Sequence, residues 1–261
     1  MRSPGSSLFK RLRVLGFGAA TFAGFCLFWF GSRGSPLLFL LLALALVSPA
    51  WKQVVATLLA AAGLACLFWS GSKGGWLLML LLGLIALLRL PLGKRFRLAL
   101  VAGVLLLGLA GFFWKYSGFF QKGATSVSAR FDYWRAALQT AKNHPLLGTG
   151  PGTFAIPYAE IKRPESEMSR LAHNDYLEQA SDSGIVGFLV YNLFIVGALV
   201  WSFPKAGREP FAVWLGVLGW ALQGLIEFGL YLPALAWPAF AFLGWLFGRN
   251  RNPMDKVASP P

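Results

Sequence analysis

The chain has 261 residues, of which 56% are hydrophobic and 13% are charged. A soluble domain carries about 25% charged residues, so this composition excludes an ordinary soluble globule, a disordered tail and a disulfide scaffold. It is typical of a membrane protein with several spans. The net charge of +14 would also suit a nucleic-acid-binding protein. In a membrane chain, however, a basic excess usually records topology, so we expect no nucleic acid partner.

Apolar runs long enough, or almost long enough, to cross about 30 Å of hydrocarbon recur along the chain. They predict an all-α, polytopic membrane helix bundle with N-terminal transmembrane helices in residues 1–114, a long loop in 115–183, and C-terminal transmembrane helices and a tail in 184–261. The loop carries seven of the ten acidic residues, so it is not a span. About eight spans are predicted, at residues 14–31, 36–51, 53–70, 75–92, 97–114, 184–203, 211–229 and 231–248.

The basic residues of the short loops predict the orientation of these spans. Fourteen basic residues fall on one side, whereas the short loops of the other side hold only Arg33 and Lys73. Both termini are therefore predicted to be cytoplasmic, and the long loop is predicted to face the periplasm or the cell exterior. The same argument predicts a multi-pass protein in contact with membrane lipids.

A short segment occurs twice at an offset of forty residues, because residues 26–34 closely match residues 66–74. Each copy is predicted to end a helix with glycine and serine and to place one cation, Arg33 or Lys73, at the outer turn. In the favoured interpretation these cations reach lipid headgroups. In the other they bind an anionic ligand on the outer face.

Residues 128–143 of the loop have the period of an amphipathic helix, of the kind that lies in a membrane interface. Its predicted apolar face consists of Phe131, Trp134, Leu138 and Ala141. Arg130 falls inside the apolar sector, so it must either extend to water or meet an anion. The planar guanidinium group suits phosphate, and both alternatives remain open.

The segment after this helix is rich in glycine. The backbone N–H groups of Gly150 and Gly152 are candidates for binding phosphate oxygens. A plain tight turn is the favoured interpretation, because no strand precedes the segment as a dinucleotide-binding motif requires.

Residues 172–179 contain a second group of polar side chains. Asp175 and Glu178 have the spacing of a capping box, which predicts that they begin the next helix rather than catalyse a reaction. His173 has no capping task, and its neutral imidazole can accept a proton from a hydroxyl, although a lone loop histidine is more often incidental. A metal site is the competing interpretation, but the spacings do not suit zinc or calcium, so metal-independent chemistry is favoured.

These motifs together resemble the O-antigen ligase and polymerase superfamily, over residues from about 70 to 205. The turn at residues 71–76 is similar to the Ser-Arg-Gly turn of that family, with Lys73 in place of arginine. The other matching motifs are Ser128-x-Arg130-x3-Trp134, His144-Pro145-Leu146-x-Gly148-x-Gly150-x-Gly152-x-Phe154, His173-Asn174-x-Tyr176-Leu177 and Asp182-x-Gly184-Ile185-x-Gly187.

The resemblance implies a C-type glycosyltransferase fold and an enzyme without metal or nucleotide cofactor. Such an enzyme moves a glycan from an undecaprenyl-pyrophosphate carrier to an acceptor hydroxyl, such as that of lipid A-core, at the periplasmic face of the bacterial inner membrane. His173 matches the general base of the family, and Arg130 matches a cation that binds pyrophosphate. Lys73 occupies the position of a second such cation, and Arg33 is a third candidate. Glu227, a carboxylate predicted near the outer end of a span, is a candidate for lining the same cavity.

Several alternatives accompany this interpretation. The acceptor of an O-antigen polymerase is another glycan repeat, and that of a protein O-oligosaccharyltransferase is a protein hydroxyl. A membrane transporter is disfavoured, because the predicted spans are almost free of charged residues. The chain is also shorter than most family members, which is consistent with a truncated, inactive member or with a protein partner that supplies the missing helices.

Overall fold

The computed structural model describes residues 62–63, 65–121, 125–204 and 208–251. The chain divides into two compact units, Met1–Ser72 and Lys73–Pro261, which we describe separately. Of the first unit, residues 62–63 and 65–70 are helical, and this helix ends at Gly71, whose φ of 68° is left-handed. The second copy of the repeat therefore ends a helix with glycine and serine, as predicted. The first copy, including Arg33, lies outside the described residues.

Every regular element in the described part of the second unit is a helix. Its helices, which we number in chain order, are α1 (Lys73–Leu88), α2 (Lys94–Gln121), α3 (Thr125–Asn143), α4 (Ala155–Ile161), α5 (Asp175–Trp201), α6 (Arg208–Gln223), a 3₁₀ turn (Gly229–Tyr231) and α7 (Pro233–Arg251). Every described element is thus of the predicted all-α class.

Two of these helices, α2 and α5, are long and apolar enough to cross a membrane. Only 6% of the apolar stretch of α2 and 22% of that of α5 are buried inside the protein. A long apolar helix in the core of a soluble protein would be mostly buried, so these helices are suited to face lipid. Helix α1 and residues Pro210–Gln223 of α6 are shorter apolar helices. The count of eight spans stays a prediction.

The predicted span 211–229 extends too far, because α6 ends at Gln223. The backbone carbonyls that follow accept hydrogen bonds from groups outside the helix. The carbonyl of Gly224 accepts from Asp175 N at 2.7 Å, and that of Leu225 accepts from Asn174 Nδ2 at 2.9 Å. Since these groups are satisfied by the start of α5, the chain leaves the helix and forms a turn there.

The helices pack in two groups around α5. Helix α3 packs on α5, and α6 packs on α1, α5 and α7. The core shared by α5, α6 and α7 contains four buried side chains, Ala198, Val217, Leu243 and Leu246. Helices α5 and α7 begin beside the turn that follows α6, and α6 ends there. Helices α5 and α7 therefore run antiparallel to α6.

Helix α5 is broken at Gly184, whose φ of 62° and ψ of −161° are not helical. The loop after α3 enters this break: Thr149 N donates to Ser181 O at 3.1 Å, and Ile185 N donates to Pro145 O at 2.8 Å. A Cβ at Gly184 would clash with the backbone of the loop, and a Cβ at Gly148 would clash with the backbone of α5. The break separates a polar first section of α5 from the apolar remainder.

Candidate active site

His173 lies in the loop immediately before α5, with its backbone in the left-handed region at φ 52°. This conformation is uncommon for a residue other than glycine and requires support from its surroundings. The carbonyl of His173 accepts from Trp134 Nε1 at 3.3 Å, and Asn174 caps α5 by accepting from the backbone N–H groups of Tyr176 and Leu177. The backbone of His173 is therefore held between α3 and the first turn of α5.

The predicted capping box is wrong, because Asn174 and not Asp175 is the N-cap of α5. The side chain of Asn174 reaches two orphan N–H groups of the first turn, which leaves Asp175 inside the helix. Glu178 does reach back, but to Ala172 N at 2.8 Å rather than to the capping residue.

The His173 ring is fixed by two aromatic rings and one carboxylate. It stacks on Tyr133 with ring centroids 5.7 Å apart, and it meets the edge of Phe228 at 4.7 Å. Its Nδ1 lies 3.1 Å from Glu227 Oε2. None of the described residues hydrogen-bonds Nε2, and 28% of the side chain is exposed, so this nitrogen is available to a ligand.

Arg130 on α3 is bound to the same carboxylate as His173. One terminal nitrogen pairs with Glu227 Oε1, while Nε donates to Ile226 O at 3.0 Å and the other terminal nitrogen donates to Ser126 O at 3.2 Å. Of the two alternatives left open for Arg130, the structure thus favours an anion, and that anion belongs to the protein. A guanidinium has five N–H donors, so two remain after these three bonds.

Glu227 joins Arg130 to His173, and we call these three side chains the charged cluster. Burial by itself raises the pKa of Glu227, but the hydrogen bond from His173 and the charge of Arg130 outweigh it and hold the pKa below its usual range. The carboxylate is therefore ionised at neutral pH. An ionised carboxylate only accepts hydrogen bonds, so it favours the tautomer of a neutral His173 that carries its proton on Nδ1.

Lys73 is the first residue of α1, and its ammonium group lies over two aromatic rings. Its Nζ is 3.9 Å from the centroid of the Phe119 ring and 5.3 Å from that of Tyr116. Within the described part of the chain it pairs with no carboxylate. The next residue, Gly74, lies against Ile226, since a Cβ there would clash with the Ile226 side chain. The N-terminus of α1 is thus beside the segment whose carbonyl binds Arg130.

The glycine-rich segment after α3 is bound to α5 rather than open to a ligand. Gly150 N donates to Asp182 O at 2.8 Å, and Gly152 N donates to Asp182 Oδ2 at 2.6 Å. These two N–H groups are the ones that the phosphate interpretation requires. The structure therefore favours the tight turn at this segment.

The predicted apolar face of α3 is only partly packed against the protein. Phe131 and Leu138 are exposed, at 61% and 47%, whereas Trp134 packs on the core beside α3. The fully buried residues are Tyr133, Ala136, Ala137 and Thr140, and the first three of them lie in one core with Phe154 and Tyr158. Alanine and threonine give a weak hydrophobic signal, so the periodicity did not indicate this second face. The location of α3 in a membrane interface stays a prediction.

Three carboxylates on the first section of α5 are almost fully buried, and each binds a different loop. Asp175 accepts from Leu230 N at 3.0 Å, Glu178 from Ala172 N, and Asp182 from Gly152 N. Among the described residues, no group of three or more histidine, cysteine or acidic side chains is arranged to hold a metal ion. These acids join the segments that surround His173 to one another.

Sequence reasoning did not identify the aromatic side chains around His173. Tyr133 follows Arg130 by three residues and so lies on the same side of α3. This spacing could have predicted that Tyr133 is close to the site. Phe228 follows Glu227 directly, but no local pattern indicated that residues 224–228 leave the helix.

A groove of about 840 Å³ begins beside this cluster and runs between α5 and α6. At its near end are Asn174, next to His173, and Leu225, close to Glu227. At its far end are Val200 and Phe203. Its lining is otherwise mostly apolar, and its volume is within the usual range of ligand cavities, about 300–1,000 Å³.

Long apolar helices with little buried surface, together with a charged cluster at one end of the bundle, define a helical membrane protein with one polar candidate site. A family model described as O-antigen ligase matches residues 56–192, just over half of the chain. The chain belongs to the O-antigen ligase family, as the motifs predicted. Membership supports a ligase-like or polymerase-like function at a membrane.

One relative among curated proteins is an uncharacterized protein of Haemophilus influenzae. It is 35% identical to this chain over 77 residues, which are 28% of this chain and 19% of that protein. The chain therefore matches less than a fifth of the length of this relative.

Proposed function

We propose that the chain is a membrane glycosyl transferase of the O-antigen ligase type. It moves a glycan from a polyprenyl-pyrophosphate carrier to an acceptor hydroxyl at the periplasmic face of the inner membrane. The observation that carries this proposal is the convergence of Arg130 and His173 on Glu227, because a transfer from pyrophosphate to a hydroxyl needs a fixed cation and a base side by side.

His173 acts as the general base in this proposal. Glu227 accepts the hydrogen bond from Nδ1–H, which leaves the lone pair of Nε2 for the acceptor hydroxyl. As the acceptor oxygen attacks the anomeric carbon, its proton passes to Nε2 and the bond between the anomeric carbon and the phosphate oxygen breaks. The electron pair of that bond leaves with the polyprenyl pyrophosphate.

Arg130 and Lys73 stabilise the charge that develops on the leaving pyrophosphate. Arg130 has two N–H donors that no described residue uses, and its position is fixed by bonds to Ile226 O and Ser126 O. Lys73 has a flexible stem, and among the described residues its ammonium group contacts aromatic faces and no carboxylate, so it can move to a phosphate oxygen. The N-terminus of α1, at which Lys73 lies, favours negative charge there as well. Arg33 remains a candidate outside the described residues.

The groove between α5 and α6 supports a lipid-linked donor. It begins at Asn174 and Leu225, next to the catalytic cluster, and continues along the apolar section of α5. A prenyl chain is apolar and would lie in such a groove with its pyrophosphate at the end near Arg130. The transfer would thus take place where the lipid tail meets water.

The orientation of the helices supports a periplasmic site. Arg89 stacks on the rings of Phe203 and Phe211, at the end of the bundle opposite to His173. The basic residues Lys94, Arg95 and Arg97 follow at the start of α2. Since short basic loops favour the cytoplasm, the His173 end would face the periplasm and both termini the cytoplasm.

The decisive experiment is a transfer assay in vesicles. The purified chain is reconstituted with a polyprenyl-pyrophosphate-linked glycan and one candidate acceptor at a time: lipid A-core, a second lipid-linked repeat, or a protein with exposed serine residues. The expected product is a glycan joined to one of these hydroxyls, with equal yield when a chelator is present. The acceptor that is used distinguishes a ligase from a polymerase and from a protein O-oligosaccharyltransferase.

A chain that binds the donor but transfers to none of the three acceptors would contradict the catalytic proposal. Loss of transfer on addition of chelator would contradict the metal-independent mechanism. The same vesicles serve for the variants described in the Discussion, so that one assay supports all comparisons.

A further inference from the structure

We propose that Glu227 is a positioning residue that couples donor binding at Arg130 to the proton affinity of His173. This inference rests on the proposed function and adds a regulation of the same site. It is based on the observation that the two oxygens of the Glu227 carboxylate have different partners: Oε1 binds Arg130, and Oε2 lies 3.1 Å from His173 Nδ1.

The coupling follows from the unequal chemistry of the two partners. Arg130 is permanently charged, whereas the imidazole of His173 is a group that can exchange a proton. A carboxylate shared with a permanent cation is a weaker hydrogen-bond acceptor for the imidazole than one that the imidazole has to itself. In the donor-free protein, Arg130 therefore limits how strongly Glu227 supports a proton on His173.

Pyrophosphate would change this balance in two ways. Its oxygens would bind the two remaining N–H donors of Arg130 and compete with Glu227 for the guanidinium charge. Its negative charge, close to the imidazole, would also favour the protonated ring. Both effects increase the proton affinity of His173, so the base becomes strongest only when the donor is bound.

Binding equilibria are reciprocal, so the same coupling must act on the donor. Protonation of His173 draws Glu227 towards the imidazole and leaves Arg130 more available to pyrophosphate. Donor affinity is therefore expected to increase as pH falls, because acid favours the protonated imidazole. Because Glu227 is 31% exposed, we expect a change of several-fold, at the lower end of the range of about 5- to 150-fold that is typical of coupled sites.

Other charged or titratable groups lie around the pair of His173 and Glu227 and could contribute to a pH dependence. They are Arg130 and Tyr133 from α3, Lys73 from the start of α1, and Asp175 from α5, which interacts electrostatically with Glu227. Burial, followed by the charge of Glu167, raises the pKa of Tyr133, so its phenol stays neutral in the range of interest. A variant of Glu227 isolates the coupling, because it leaves all of these groups in place.

The experiment measures binding of the polyprenyl-pyrophosphate-linked glycan, without an acceptor, from pH 5 to pH 8, to the wild type and to Glu227→Gln and Glu227→Asp. Both phosphates of this donor are substituted on two sides, so its charge does not change over this range, whereas a terminal phosphate would be protonated at about pH 6. In the wild type the dissociation constant should fall several-fold with decreasing pH. Glu227→Gln keeps the shape of the side chain but removes its charge, so its binding should show much less pH dependence. Glu227→Asp retains the charge, so its donor binding should show part of the pH dependence of the wild type.

The kinetic measurement uses the same variants in the transfer assay. Glu227→Gln should lower kcat more than it raises the donor KM, and the pH at which the kcat profile begins to fall should move. A fall in kcat with an unchanged pH profile and unchanged pH dependence of donor binding would show a merely structural role and overturn the coupling.

The wild type alone also tests the inference, should the glutamine variant fail to fold. Transfer by a wild type whose donor affinity does not change with pH would overturn the coupling and leave the proposed function intact. Absence of both transfer and donor binding would overturn the proposed function, and the coupling with it.

Discussion

The two ends of the bundle each hold a prominent arginine, but in opposite chemical surroundings. Arg130 forms hydrogen bonds to two carbonyls and an ion pair with Glu227. Arg89 lies over the rings of Phe203 and Phe211, with its guanidinium carbon 4.8 Å and 4.5 Å from the ring centroids, and pairs with no carboxylate among the described residues. Aromatic stacking holds a cation at a membrane surface, whereas the ion pair also places a titratable imidazole beside it. Among the described residues, the Arg130 end alone thus places a fixed cation and an imidazole on the same carboxylate.

The largest expected effect comes from removing the proposed base. His173→Ala should lower glycan transfer by about 10²–10⁴-fold, which is the usual contribution of a general base. The variant is compared with His144→Ala, which changes an exposed histidine at the end of α3. Equal activity of the two variants would exclude the base role. Insertion into the membrane should be normal in both.

The second prediction compares the two arginines directly. Arg130→Lys should raise the donor KM more than tenfold, because lysine cannot keep the contacts to Ile226 O and Glu227 and still offer a planar fork to phosphate. Arg89→Lys should leave the donor KM unchanged, since Arg89 lies at the other end of the bundle. An unchanged donor KM in Arg130→Lys would mean that positive charge alone, and not the geometry of the guanidinium, determines donor use. A similar rise for both variants would mean that the effect is not specific to the Arg130 end.

The third prediction concerns the glycines that bring the loop after α3 against α5. Gly148→Ala should lower the apparent Tm in detergent, at a cost of about 1–3 kcal/mol or more, because its left-handed backbone is combined with a clash against α5. Gly152→Ala is the matched control, since Gly152 has a φ of 73° but no atom within 4 Å of an added Cβ. An equal loss of stability in both would assign the effect to backbone conformation alone.

The smallest expected effect is a dependence of stability on pH at the Arg130 end. The pKa of Glu227 is lower in the folded protein than in the unfolded chain, so the unfolded chain binds more protons in acid. The stability contributed by Glu227 is complete above about pH 5 and is lost as pH falls through the lowered pKa. The difference in apparent Tm between wild type and Glu227→Gln should therefore shrink below about pH 4. A constant difference down to pH 3 would contradict the lowered pKa.

Much of the architecture could be predicted because it depends on local signals. Continuous apolar runs indicated the helices, and α1, α2, α5, α6 and α7 each overlap a predicted span. The identification of the family also needed only motif order and spacing. His173, Arg130 and Glu227 were all candidates from the sequence, although their roles remain proposals.

The remaining features depend on contacts between segments that are far apart in the chain. Asn174 is the cap of α5, and α6 ends before Gly224, because the start of α5 donates hydrogen bonds to the carbonyls of Gly224 and Leu225. The carboxylate of Glu227 contacts His173, which is 54 positions away in the chain, and Arg130, which is 97 positions away. No periodicity or local spacing contains that information.

The groove between α5 and α6 has a consequence for the range of carriers that the protein can use. Several of its lining side chains, Val196, Val200, Phe203 and Leu225, are at least 41% exposed, so the groove is open along its side. A carrier tail longer than the groove would continue among the surrounding acyl chains without steric conflict. On the proposed function, selection would then act on the headgroup, and carriers with shorter or longer isoprenoid tails would be accepted equally well.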